Sequence, residues 1–130
     1  MKMISFKDEY PVFTHTLPKN QTSLTDVGEI LAEIKMKIEA HPIATYVGLF
    51  DHYEHTSYLE SGEITPTIID AKNILFCFGK ELLVPEVLAV RPRSIGIAER
   101  KDDFVFSFLK APNPAANEAM MTWVEALHNL

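Results

Sequence analysis

Residues 93–110, RSIGIAERKDDFVFSFLK, decide the fold of this 130-residue chain. Both ends of the stretch are rich in β-formers, and the polar residues 100–102 between them are typical of a turn. We therefore predict a β-hairpin with arms from Arg93 to Glu99 and from Asp103 to Lys110. Side chains alternate between the two faces of a strand, so Phe104, Phe106 and Phe108 share one face.

The first arm of the hairpin carries a stripe of small residues. Ser94, Gly96 and Ala98 share one face of that arm, and bulkier isoleucines occupy the other. Small side chains leave space above a sheet, which other parts of the molecule must fill or leave open. Two outcomes follow: helix side chains fill the space, or a cavity lined by phenylalanines lies between the sheet and a helix.

The spacing of hydrophobic residues and the positions of proline and glycine predict the other elements around this hairpin. The predicted strands are Pro11–Leu17, Ile43–Phe50, Ile64–Ile69 and Ile74–Phe78. The predicted helices are Leu24–Ala40, Pro114–His128 and one helical turn at Pro85–Ala89. The polar and aromatic segment Asp51–Glu63 is either a long loop or the tip of a hairpin.

These elements predict one α+β domain over residues 1–130. The expected order is β-α-β-β-β-β-β-α, or one strand fewer, with a mostly antiparallel sheet of five to six strands, because successive strands lack crossover helices. Two amphipathic helices, after strand 1 and at the C-terminus, pack on one sheet face. The other face must then meet water, a ligand or another subunit.

Composition excludes several classes of protein. Hydrophobic residues make up 47% of the chain, which indicates a folded domain rather than a disordered one. The formal net charge of −6 argues against a nucleic-acid partner, which needs a basic surface. No apolar run is long enough to span a membrane. The single Cys77 cannot form an intramolecular disulfide, so we expect a cytoplasmic protein.

The first candidate site follows the strand that ends at Phe50. His52 and His55 lie three residues apart and can chelate a metal only if the chain turns there. A further ligand is needed, and His15, Glu60 and Glu63 are candidates by residue type. The alternatives are an ordinary polar loop and an acid–base role for one of the two imidazoles.

The second candidate site contains Arg91 and Arg93, two of the three arginines in the chain. On an extended chain they point the same way on either side of Pro92. Arginine forms forked contacts to carboxylate or phosphate that lysine cannot reproduce, so the pair can hold an anion at the mouth of a cleft. The alternative is that each arginine pairs with an acid such as Glu86 or Glu99, or is solvated.

No motif commits the chain to a reaction or a cofactor, so whether it is an enzyme stays open. The leading hypothesis is a binding domain for a small, partly apolar or anionic molecule held between sheet and helices. The predicted ligand-binding residues are Tyr46, His52, His55, Arg91, Arg93 and Phe106. The alternatives are a metal-dependent enzyme that uses His52 and His55, and a homo-oligomeric interaction module, for which a homodimer is expected, without a small-molecule site.

Overall fold

A computed structural model describes all residues from 1 to 130. The strands are β1 (Lys2–Phe6), β2 (Tyr10–Pro18), β3 (Thr45–Phe50), β4 (Asp70–Cys77), β5 (Arg93–Glu99) and β6 (Asp103–Leu109). The helices are α1 (Val27–Ala40), α2 (His52–Tyr58) and α3 (Pro114–Glu125), with short 3-10 helices at Lys19–Gln21 and Pro85–Val90. The predicted α+β class is confirmed.

The six strands form one antiparallel sheet in the order β1-β2-β6-β5-β4-β3. The predicted hairpin is confirmed as β5 and β6, in which Gly96 lies opposite Ser107 and Ile97 lies opposite Phe106. This hairpin lies at the centre of the sheet, where both arms have strand neighbours. Alternation along β5 and β6 therefore sets the character of the two sheet faces.

One face of the sheet carries the hydrophobic core, and we call it the core face. It bears Phe104, Phe106 and Phe108, all buried against helices α1 and α3. The helices contribute buried stripes that include Ile34 on α1 and Met120 on α3. The phenylalanines thus fill the core itself rather than line a cavity between the sheet and the long helices.

Both long helices begin at polar caps. The Asp26 carboxylate accepts a hydrogen bond from the Glu29 backbone N–H at 2.8 Å, so α1 starts three residues later than the predicted Leu24. Asn113 caps α3, with its side-chain oxygen 2.9 Å from the Ala115 nitrogen. No helix of the protein is both long enough and apolar enough to cross a membrane.

Several predicted elements differ from the structure. The segment Ile64–Ile69 is a loop rather than a strand, because Pro66 interrupts it and cannot donate to a ladder. Strand β1 was not predicted, and it forms a hairpin with β2. The predicted strand Ile43–Phe50 is the shorter strand β3 at the edge of the sheet, and its apolar residues Val47 and Leu49 are exposed.

Candidate functional site

The opposite face of the sheet, which we call the open face, is built from small side chains. Two rows of cross-strand neighbours run across its centre. One row is Asn73, Gly96, Ser107 and Thr14, and the other is Ala71, Ala98, Val105 and Thr16. Neither long helix covers these rows, because both helices pack on the core face. The small-residue stripe predicted from β5 therefore faces a part of the molecule that the core leaves uncovered.

Helix α2 and the loop that follows it cover one end of the open face. Asp51 caps α2 by accepting a hydrogen bond from the Glu54 N–H at 2.9 Å. The Lys72 ammonium lies 2.8 Å from the Asp70 carboxylate and 3.6 Å from that of Asp51. It therefore links the start of α2 to strand β4.

This lysine is held in its charged form. Burial of the Lys72 ammonium works against the charge, but the hydrogen bond and charge of Asp70, assisted by Asp51, raise the pKa above its ordinary value. The positive charge is thus already matched by two carboxylates. It anchors α2 to the sheet and is poorly suited to binding a further anion.

A cleft of about 470 Å³ lies between α2 with its loop and the open face. Its apolar wall includes Ile64, Ile68, Ala71, Ala98 and Val105, and its polar wall includes His52, Tyr53, Thr56, Glu63, Asn73 and Ser107. A second hollow of about 380 Å³ on the same face shares three of the sheet residues, Asn73, Gly96 and Ser107. The two hollows together form a groove that runs from α2 toward the 3-10 helix Pro85–Val90.

The geometry at the bottom of the cleft depends on a glycine. The Asn73 amide donates a hydrogen bond to the Ser94 hydroxyl at 2.9 Å. A Cβ atom at Gly96 would lie 3.3 Å from the Asn73 amide nitrogen and 3.5 Å from the Ser107 hydroxyl oxygen. Glycine therefore leaves room beside it for two polar side chains at the centre of the sheet.

The two histidines of the first candidate site lie on α2, and only one reaches the cleft. The ring centroids of His52 and His55 are 6.0 Å apart, and both rings lie 5.4 Å from the Phe50 ring. His52 lines the cleft and forms a 3.0 Å hydrogen bond between its Nδ1 atom and the Thr56 hydroxyl. The protein contains no group of three or more metal-ligating residues, so the pair lacks a third ligand.

His15, one of the further ligands considered for these histidines, lies outside the cleft that His52 lines. His15 is on β2, where its Nε2 atom lies 2.8 Å from Nε2 of His128. Burial first, and then the positive charges of the N-terminus and His128, lower the pKa of His15. His15 therefore belongs to a contact that joins the C-terminus to the sheet.

Two predicted ligand-binding residues, Tyr46 and Phe106, lie on the core face. Tyr46 packs against the core, and the Lys35 ammonium lies 4.5 Å from its ring centroid. Phe106 is fully buried. Neither lines the cleft, because alternation along each strand directs them away from the open face.

The two arginines of the second candidate site contact backbone carbonyls rather than acids. Arg91 donates to the Glu81 carbonyl at 2.5 Å. Arg93 donates to the Val90 carbonyl at 3.3 Å and also to that of Leu109. Neither arginine forms an ion pair with Glu86 or Glu99, the two acids considered as partners. Glu99 pairs instead with Lys19 at 2.7 Å.

Sequence reasoning missed most residues of the cleft. The predicted strand Ile64–Ile69 contains Ile64 and Ile68, the predicted hairpin contains Ser107, and Asn73 lies between two predicted strands, and none of these residues was given a role in a site. Helix α2 itself has a recognisable start, since Asp51 is followed three residues later by Glu54, a pattern typical of a helix N-terminus. That pattern indicates a helix over the segment and hence a cover for the small-residue stripe.

Comparison with known proteins yields one match. A family model described as a family of unknown function (DUF6858) matches residues 1–129. No curated protein and no solved structure matches the chain. The geometry of the open face is therefore the basis for a functional proposal.

Proposed function

We propose that the chain, which belongs to the DUF6858 family of unknown function, binds a small, partly apolar molecule in the open-face cleft. The observation that carries this proposal is a cleft of about 470 Å³ between α2 and a sheet surface of small side chains. Ligand pockets typically measure roughly 300–1,000 Å³ and combine an apolar lining with a few polar groups. The cleft meets both criteria.

Polar groups in the cleft can orient such a ligand. His52 uses its Nδ1 atom in the contact with Thr56, which leaves Nε2 for a ligand. Asn73 uses its amide nitrogen in the contact with Ser94, which leaves its carbonyl oxygen as an acceptor. A molecule with an apolar body and one or two hydrogen-bonding groups therefore matches the lining.

The charges of the cleft favour a neutral ligand over an anion. Lys72 is the one lysine or arginine that lines it, and two carboxylates already pair with that ammonium. Glu63 adds a further acid to the lining. An anionic group in this cleft would lose its hydration without gaining an unpaired cation.

A filling substitution tests the proposal. The neutral dye N-phenyl-1-naphthylamine should bind saturably to the protein with a rise in fluorescence, and Ala98→Leu should abolish the rise by occupying the cleft. Ala115→Leu is the matched control, since Ala115 is exposed in the first turn of α3 and lies outside the cleft. Thermal unfolding should show that both variants fold. Equal dye binding by both variants would refute the cleft as the site.

A second candidate function is self-association through the β1 side of the open face. All five residues of β1 are exposed, and Ile4, Val12 and Leu109 form a row across β1, β2 and β6. Exposed apolar residues on an edge strand are a common basis for pairing with another chain. Light scattering should give a dimer mass for the native protein and a monomer mass for Ile4→Lys. A native monomer at high protein concentration would remove this candidate.

A further inference from the structure

Arg91 and Arg93 border a small hollow next to the first turn of α3, which we call the arginine pocket. Its volume is about 150 Å³. Besides the two arginines, its lining includes Phe78, Val90 and the α3 cap residue Asn113. It shares no lining residue with the open-face cleft, although Val90 and Arg93 also line the second hollow on the open face.

Neither guanidinium in this pocket has an acidic partner. The ion pairs of the protein involve Lys19, Lys72 and Arg100, and no carboxylate oxygen lies within 4.0 Å of Arg91 or Arg93. Arg100 shows the contrast, because it forms a forked contact to Asp103 with distances of 2.7 and 2.8 Å. Two unmatched positive charges thus meet at one hollow of a protein whose net charge is −6.

One donor of the Arg93 guanidinium lacks an acceptor altogether. The Nε atom of Arg93 is buried and makes no hydrogen bond, although the other nitrogens of the same guanidinium contact backbone carbonyls. A buried donor without a partner is unfavourable, and more so when it carries charge. Desolvation of the guanidinium also lowers the pKa of Arg93, which indicates that its charge is poorly compensated.

The backbone beside Arg91 is shaped to hold its guanidinium. A Cβ atom at Gly79 would lie 2.4 Å from Cζ and 2.5 Å from Nε of Arg91. The guanidinium therefore packs directly on the glycine backbone, in space that any other residue would occupy. Helix α3 adds no negative charge to this region, since its first turn contains no acidic residue.

We propose that the arginine pocket binds a small oxyanion, either a phosphate or a carboxylate group. Such a group supplies the negative charge that both guanidiniums lack. Arginine forks match the planar geometry of a carboxylate and the oxygens of a phosphate. The short apolar wall of Phe78 and Val90 leaves room for a few carbon atoms attached to the anion.

Nuclear magnetic resonance of the arginine side chains provides the test. Inorganic phosphate and acetate are titrated separately into the full-length protein, with sodium chloride added to a reference at matched ionic strength. We expect saturable shifts of the Arg93 Nε–H signal and of the Ala115 and Ala116 amides. The anion with the higher affinity then identifies the chemistry. The Arg100 signal serves as an internal control because its guanidinium is already paired.

Substitutions assign the shifts to the pocket. Arg91→Met should weaken the binding of the preferred anion by about tenfold, the usual scale for losing a hydrogen bond to a charged group. Gly79→Ala should weaken it as well, because the new methyl group displaces the Arg91 guanidinium without removing its charge. Arg100→Met is the matched control and should leave the affinity unchanged.

Two results would contradict the proposal that the arginine pocket binds an oxyanion. Shifts that chloride reproduces at the same ionic strength, or an equal loss of affinity in Arg91→Met and Arg100→Met, would overturn the arginine pocket as a site. Either result leaves the open-face cleft untouched, because that proposal is tested with a neutral dye and with Ala98→Leu. The two proposals therefore stand or fall separately.

Discussion

The two faces of the sheet are made by the same strands and have opposite properties. On the core face, Phe106 is fully buried under the long helices. On the open face, the adjacent residues Val105 and Ser107 border a cleft. Alternation along one strand is sufficient to produce both, because successive side chains point to opposite sides.

The difference between the faces indicates what each one contributes. Large side chains on the core face bury apolar area against α1 and α3, which stabilises the fold. Small side chains on the open face contribute little buried area and leave a volume beneath α2. We infer that stability depends mainly on the core face and that binding depends mainly on the open face.

The largest predicted effect is a difference in the loss of stability between substitutions at two neighbouring positions, one on each face of the sheet. Phe106→Ala should lower the free energy of unfolding by about 3–5 kcal/mol, because it leaves a cavity in the core. Val105→Ala should cost roughly 1 kcal/mol or less, since Val105 is only half-buried and borders the cleft. Urea denaturation of both variants measures the difference. Similar losses at the two positions would contradict the division between the faces.

A second effect on stability is expected at the turn of the β1–β2 hairpin. Both faces of β1 are exposed. Lys7 and Asp8 have φ values of 53° and 57°, a left-handed conformation that is unfavourable for most residues. Replacing the pair by Asn-Gly should raise the free energy of unfolding by about 1–2 kcal/mol. Glu9→Gly is the control and should be destabilising, because Glu9 has no positive φ. A destabilised Asn-Gly variant would show that the turn is not strained.

The free energy of unfolding should depend on pH through His15, which lies on the core face opposite Phe106. The pKa of His15 is lowered below 6.5 by burial, so the unfolded chain binds the proton more readily than the folded one. The free energy of unfolding should be highest above pH 6.5 and should decrease as the pH falls through the folded-state pKa. His15→Gln should reduce this dependence in thermal unfolding from pH 8 to pH 5. An unchanged slope in the variant would exclude His15 as its source.

The smallest predicted effect measures how closely the side chains pack on the open face. Gly96→Ala should change stability by less than about 0.5 kcal/mol, because a tight 3.3 Å contact with Asn73 offsets the lower entropy of the unfolded chain. Gly48→Ala meets no atom within 4 Å and should stabilise by about 0.4–1 kcal/mol. Equal gains at both positions would mean that the cleft surface at Gly96 is as open as the edge strand.

Much of the fold follows from local patterns in the sequence. The β5–β6 hairpin, the cap at Asn113 and the amphipathic stripe of α1 each depend on neighbouring residues, which a sequence displays directly. Strand β1 does not, because it has only five residues and its turn contains no glycine or asparagine. The order of strands depends on long-range pairing, so the sequence does not show that β3 lies at the edge of the sheet.

The candidate site is less predictable than the fold. The small residues of β5 correctly indicated space above the sheet, but the sequence does not show which face the helices cover. His52 was predicted to contact a ligand and does line the cleft. Ile64 and Ile68 line it as well, although their segment resembled a strand. Proximity between distant segments created the cleft, and single-sequence periodicity carries no information about it.

Methyl spectra of the protein titrated with N-phenyl-1-naphthylamine test the central claim most directly, because methyl groups report on each face separately. We predict shifts at Ala71, Ala98 and Val105, which line the open-face cleft, with little change at the core-face residues Ile74 and Ile95. Shifts confined to the core-face methyl groups, or saturable binding that leaves the open-face groups unchanged, would contradict it.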